Sequence, residues 1–226
     1  MPDGTHLLQG QVAVVSGGLG AIGAATVRAL AQQGADVAWC DLHPFEKAAT
    51  LAADLQAHGR RAVYGRVDIA DAQAVENWLD GVESALGTPT LVVPNAAIVG
   101  LAPLRELSAG GWRSVMAVNL DGAFHMASSA ARRMLDRGLP GRIVFVGSWA
   151  ADHVHLQLPA YCVAKAGLRM LSKCMAAALA PRTCAGGMKR RGASSPPAVS
   201  SGRKRSRRKS CISAIRAIAT PRAPPS

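Results

Sequence analysis

A short run, Gln11–Ser16 (QVAVVS), leads directly into Gly17-Gly18-Leu19-Gly20-Ala21-Ile22-Gly23 and a helical stretch, Ala21–Gln33. A run this apolar reads as a strand buried on both faces. Glycines placed straight after it permit a tight turn and a close approach of backbone to a bound group. The helix that opens there aims its first N–H groups and the positive end of its dipole at the turn, which favours an anion. Strand, glycine turn and helix together are the context in which a dinucleotide pyrophosphate is bound. A purely structural glycine turn has the same local pattern and stays open on these residues alone.

The alternation continues. Asp36–Asp41 (DVAWCD) reads as a second strand, Arg61–Arg66 as a third, Leu91–Pro94 as a fourth and Arg142–Gly147 as a fifth. Helical stretches lie between them: Pro44–His58, Asp71–Leu86, and a long region Leu107–Arg137 with a possible break at Gly110-Gly111. Gly34 and Gly59 stand where C-terminal caps belong. Pro159–Ala180 is a further helix. Strands alternating with helices imply βαβ units and a parallel sheet covered on both faces. The expected fold is α/β, a Rossmann-like doubly wound parallel sheet.

Charge divides the chain in two. All 14 acidic residues and 14 of the 26 basic ones lie before position 182, so residues 1–181 are neutral. The last 45 residues hold 12 basic residues and no acid. Arg203-Lys204-Arg205-Ser206-Arg207-Arg208-Lys209 is the densest stretch, and Ile212, Ile215 and Ile218 show only a sparse helical spacing. Such a segment buries too little apolar surface to offset chain entropy, so a disordered basic tail (182–226) after one folded domain (1–181) is expected. The tail is not expected to complete the sheet. A non-specific, salt-sensitive contact with nucleic acid phosphates is the rival role for it, although no aromatic residue is present there for base stacking.

No apolar run reaches the roughly 18 residues that span a membrane, and the N-terminus lacks a signal-peptide pattern. Five scattered cysteines read as free thiols in a reducing compartment, which makes a cytoplasmic location the expectation. Neither they nor the six histidines show metal-ligand spacing, so no metal site is expected.

Tyr161 and Lys165 are four residues apart and share a helix face. An ammonium beside a phenol favours the phenolate, and a phenol so tuned can exchange a proton during carbonyl–alcohol chemistry. The chain's other tyrosine, Tyr64, has Asp68 four residues on. Ser148 lies thirteen residues before Tyr161. Asp41, 18 residues after Gly23, ends the second strand, where a carboxylate can hold both hydroxyls of an adenosine ribose and repel a 2′-phosphate. The blander readings are a chance pair on a solvated helix, a strand-end turn at Ser148, and a capping aspartate at Asp41.

These motifs together resemble the short-chain dehydrogenase/reductase family over about residues 9–181. Its T-G-x-x-x-G-x-G motif appears as Ser16–Gly23, with serine for threonine and Ala21 for the middle glycine. Its N-N-A-G motif appears as Pro94-Asn95-Ala96-Ala97, its adenine-contacting aspartate as Asp68 with Ile69 following, and its helix asparagine as Asn119. The resemblance implies an enzyme that binds NAD, with NADP less favoured, through Gly17, Gly20, Ile22, Gly23, Asp41, Asp68, Ile69, Asn95, Tyr161 and Lys165. It implies hydride transfer between NAD(H) and a carbonyl or secondary alcohol. Tyr161 is then the general acid/base, Ser148 positions the reacting oxygen, Lys165 tunes the tyrosine and holds the ribose, and Asn119 anchors a proton-relay water. Trp149, His153, His155 and Leu158 border the substrate in this reading. After Pro181 the family's R-V-N-x-V-x-P-G motif has no counterpart. Loss of the last two strands, a weakened homo-oligomer contact and impaired activity are therefore also expected.

Overall fold

Residues 6–180 and the backbone of residues 212–218 are described by the structure, a computed structural model. Strand β1 (Val12–Ser16) is buried at every position, as an uninterrupted apolar strand must be when both sheet faces are covered. It pairs in parallel with β2 (Asp36–Asp41) on one side and β4 (Leu91–Val93) on the other. β3 (Ala62–Arg66) extends the sheet beyond β2, and β5 (Gly141–Val146) extends it beyond β4. With β6 (Ile212–Ile218) at the far edge, the strand order β3-β2-β1-β4-β5-β6 reverses direction between β1 and β4. That switch opens a crevice at the carboxyl ends of the strands, where ligands of such sheets sit.

Alternation along each strand divides the core. Ala13, Val15, Val37 and Trp39 face α1 (Ala21–Gln32) and α2 (Ala49–Ala57), packing with Val27, Ala31, Leu51 and Leu55. Val14, Ala38, Val92, Ile143 and Phe145 face the opposite layer, packing with Val75, Leu79 and Val82 of α3 (Ala72–Leu86) and Met126, Ala130 and Met134 of α5 (Ala123–Arg137). α3 is capped by Asp71, whose carboxylate accepts the N–H groups of Gln73 and Ala74 at 2.8 and 3.1 Å. Such a cap contributes about 1 kcal/mol.

Two helix expectations are corrected. Pro44–His58 is not one helix. A 3₁₀ turn at Phe45–Lys47 comes first, and α2 begins only after Ala48, which is turned wholly into the core while Phe45 stays exposed. Nor does the long region break at Gly110-Gly111. Ser108 accepts the Gly111 N–H at 3.0 Å and caps α4 (Ala109–Met116), so the glycines lie in the first turn of a helix. The irregularity is a π-turn, Ala117–Gly122, between α4 and α5.

The expectation that the tail adds nothing to the sheet is overturned at one segment. Strand β6 (Ile212–Ile218) lies parallel to β5, with a register irregularity at Gly141/Arg142. An uncovered β5 would present a row of unpaired N–H and C=O groups. The stretch 212–218 has three β-branched residues and neither glycine nor proline, so it is competent to pair there. The three-residue isoleucine spacing concealed this, because edge pairing is set by the distant strand and not by local periodicity. The remainder of the expected disordered tail, including the basic run 203–209 and its suggested phosphate contacts, lies outside the described residues. Among the described residues no helix is long and apolar enough to cross a membrane.

Candidate active site

The glycine turn between β1 and α1 is shaped by steric necessity. Gly17 has a φ of 65°, and a Cβ on it would lie 2.7 Å from the Ala96 Cα. A Cβ on Gly23 would lie 2.0 Å from the Gly17 carbonyl oxygen. No side chain fits at either position. The turn is braced from β4. Asn95 donates through Nδ2 to the carbonyls of Ser16 and Gly17 at 3.0 and 3.1 Å. Ser16 Oγ accepts the N–H groups of Asn95 and Ala96, both at 3.1 Å. Both amide hydrogens of Asn95 are thus committed to the turn, and its Oδ1 is the side-chain atom left for a ligand.

A cleft of about 510 Å³ opens beside this turn. Gly17, Gly20, Ile22, Gly23, Asp41, Asp68, Ile69 and Asn95 all line it. The structure therefore gathers eight of the ten residues expected to hold a dinucleotide. Tyr161 and Lys165 do not line this cleft; they lie on α6 (Pro159–Leu179). Leu42 and His43 line it as well and were missed in the sequence, where their only signal is adjacency to Asp41.

At the β2 end of the cleft's lining stands Asp41. Its Oδ2 accepts the Leu19 N–H at 3.1 Å and its Oδ1 the Leu42 N–H at 2.8 Å. Each carboxylate oxygen retains a second lone pair for a hydroxyl. Asp68 Oδ1 accepts the Ala70 N–H at 2.9 Å, which shapes the turn after β3. Tyr64 is near this end but is tuned away from proton exchange. Its hydroxyl donates to the His43 carbonyl, and burial, with Asp41 second, pushes its pKa up to about 12.

The four residues expected to carry chemistry come from three elements. Ser148 follows β5, is buried, and accepts the Ala150 N–H at 3.2 Å. Asn119 is buried in the π-turn. Its Oδ1 accepts the Ile98 N–H and its Nδ2 donates to the Ile98 carbonyl, both at 2.8 Å. That double bond fixes the chain leaving β4 against the π-turn. Tyr161, in the first turn of α6, packs on a small buried cluster of Val115, Ala160 and Ala164, which Leu107, Trp112, Met116 and Leu120 also cover. Lys165 is 4% exposed, donates to the Val146 carbonyl at 2.9 Å and stands 5.6 Å from the centroid of the Tyr161 ring. Burial lowers its pKa to about 8, so it stays charged at neutral pH. Beyond Ser148, the Trp149 ring lies 6.3 and 5.9 Å from the rings of His153 and His155. Leu158 flanks the start of α6.

Chemically, this is an anion-accepting turn, a carboxylate suited to ribose hydroxyls, and a buried ammonium beside a phenol. The family model described as short chain dehydrogenase matches residues 11–188. A D-threitol dehydrogenase from Mycolicibacterium smegmatis is 41% identical over 75% of this chain and 65% of its own length. A 2,3-dihydro-2,3-dihydroxybenzoate dehydrogenase from Bacillus subtilis is 33% identical over 76% of this chain and 66% of its own. The chain thus spans about two thirds of the length of these relatives. Among solved structures, an NAD⁺-bound xylitol dehydrogenase superposes with a TM-score of 0.72 at 27% identity, covering 76% of this chain and 65% of that one. A metagenomic short-chain oxidoreductase in complex with NADP also gives 0.72, at 30% identity, covering 76% and 77%.

Proposed function

The chain belongs to the short-chain dehydrogenase family, and from that membership we propose that it is an NAD(H)-dependent oxidoreductase acting on a secondary alcohol or its carbonyl counterpart. The observation that carries the reading is the cleft that the glycine turn and Asp41 line together, with the Leu19 N–H bonded to the Asp41 carboxylate. Gly17 and Gly23 leave no room for side chains, and Ala21, Ile22 and Gly23 in the first turn of α1 line the space where a pyrophosphate would lie. Asp41 favours ribose hydroxyls over a 2′-phosphate, since two like charges in one partly enclosed site repel. In this reading Asp68 and Ile69 form the base-side wall, and Asn95, with its Nδ2 committed to the glycine turn, offers Oδ1 to the inner ribose. These residues fit a nicotinamide dinucleotide, which supplies the hydride donor or acceptor when bound.

The protein's own contribution is proton movement and positioning. Tyr161 gives its phenolic proton to the carbonyl oxygen in reduction and takes it back in oxidation. Ser148 donates a hydrogen bond to the same oxygen, its own acceptor capacity being partly used by the Ala150 N–H. Lys165, anchored on the Val146 carbonyl, holds a positive charge beside the phenolate form. Asn119 keeps the π-turn fastened to Ile98 and so keeps the base of α5 in register with the cleft. The relatives' names denote hydroxylated substrates, which supports an alcohol as the substrate class. The working unit in this reading is residues 6–180 together with β6, and a homo-oligomer weakened by the altered C-terminus is the expected assembly.

Titration with NADH and NADPH, followed by energy transfer from tryptophan to the reduced nicotinamide, tests the proposal. Saturable binding with NADH tighter is the expected result. No binding of either, or tighter NADPH, would contradict it.

A further inference from the structure

Ile69 lines the cleft, and two residues, Gly122 at the end of the π-turn and His125 in the first turn of α5, contact it. His125 Nδ1 lies 3.1 Å from the Ile69 carbonyl oxygen. A carbonyl can only accept, so Nδ1 is the donor. Gly122 closes the same contact, since a Cβ there would lie 2.7 Å from Ile69 Cδ1 and 3.0 Å from its carbonyl oxygen. The His125 ring is held edge-on by Phe124, with centroids 6.2 Å apart. Asp68 and Ile69 sit in a tight turn: Asp68 accepts the Ala70 N–H with its side chain and the Asp71 N–H with its carbonyl. Nothing in that turn's own hydrogen bonds fixes the Ile69 carbonyl; the His125 ring does so across 56 residues of sequence.

We propose that His125 is a positioning residue for the nucleotide-base side of the cleft. Its ring N–H sets the rotation of the Ile69 peptide, and Gly122 sets how far the Ile69 side chain projects into the cleft. The π-turn and the first turn of α5 thereby hold both walls at once, Ile98 through Asn119 and Ile69 through Gly122 and His125. This rests on the assignment of the cleft to a nicotinamide dinucleotide.

His125→Phe keeps the ring and its contact with Phe124 but lacks the N–H. His125→Asn restores a donor near the Nδ1 position. ADP-ribose, which carries the base-side half of the dinucleotide without the nicotinamide, is titrated by calorimetry against all three proteins. The thermal midpoint of each and amide exchange at 68–70 are measured alongside. The expected result is binding weakened about tenfold in His125→Phe, the scale of one hydrogen bond, with faster exchange at 68–70. Both recover in His125→Asn. Gly122→Ala, which presses on Ile69 by a different route, is expected to weaken ADP-ribose as well, and it decides the matter should His125→Phe fail to fold. A midpoint that falls while ADP-ribose affinity stays within twofold of wild type overturns the proposal, as does an Asn variant no better than Phe. Wild-type protein that binds neither NADH nor ADP-ribose removes the cofactor assignment itself.

Discussion

Lys165 and Tyr161 stand one helical turn apart on α6, the ammonium 5.6 Å from the ring centroid, and Lys165 is nearly closed off from solvent. Its one hydrogen bond among the described residues is to the Val146 carbonyl, and no carboxylate pairs with it. Burial without a counter-ion lowers its pKa to about 8. Below about pH 8 both the folded and unfolded chains hold this proton, and the folded state bears the cost of a buried charge. From pH 8 towards 10.5 the unfolded chain still binds the proton while the folded chain has released it. Stability at this site therefore rises with pH across that window, by a total on the order of 3 kcal/mol. Urea unfolding at pH 7 and 9.5 should show the rise in the wild type and its loss in Lys165→Met. Turnover should move the opposite way, falling above about pH 8 as the ammonium is lost.

Ser16→Ala removes the acceptor shared by the Asn95 and Ala96 N–H groups at a site with no solvent access. Unpaired buried donors cost about 1–3 kcal/mol each. A loss of at least about 2 kcal/mol in urea unfolding is expected, with weaker NADH binding because the glycine turn loses its brace. An unchanged midpoint would remove Ser16 from that role.

Asp41→Asn keeps an acceptor for the Leu19 N–H but removes the charge. NADPH affinity should rise relative to NADH by roughly tenfold or more, the scale of one uncompensated charge contact near a partly exposed site. Asp41→Ala should in addition loosen the glycine turn. Side-by-side titrations of the three proteins with both cofactors check this, and a wild type that already prefers NADPH contradicts it.

The strand β6 prediction is structural. Amides of Gly141–Val146 and Ile212–Ile218 should exchange slowly together, because each ladder protects the other. Ile215→Pro deletes one ladder donor and should release protection across both strands. Fast exchange at 212–218 in the wild type would show that this pairing does not persist in solution.

Much of this molecule was legible locally. The buried run before Gly17, the close approach that Gly17 and Gly23 demand, and the i,i+4 pair Tyr161–Lys165 are all short-range signals, and the structure shows the buried strand, the two close approaches and the lysine over the tyrosine ring, although that pair lies outside the cleft. What escaped is long-range. Nothing around Ser16 says that its hydroxyl will be claimed by Asn95 and Ala96, about eighty positions on, and nothing around His125 points to Ile69. The π-turn at 117–122 was hidden by Gly110-Gly111, residues that are weak in a helix interior but harmless in a capped first turn. β6 escaped because strand pairing at a sheet edge is decided by the partner's open hydrogen bonds, and three isoleucines three apart look helical on their own.

Tyr161→Phe is the most direct test of the claim that this site moves a proton alongside a hydride. The substitution removes one hydroxyl and leaves the ring beside Lys165 and against the Val115–Ala160–Ala164 cluster. Steady-state turnover with NADH and a reducible ketone, measured together with the NADH dissociation constant, should show a rate loss of at least about a hundredfold at unchanged cofactor affinity. Turnover within about tenfold of wild type, less than 1.4 kcal/mol on the barrier, would contradict the account.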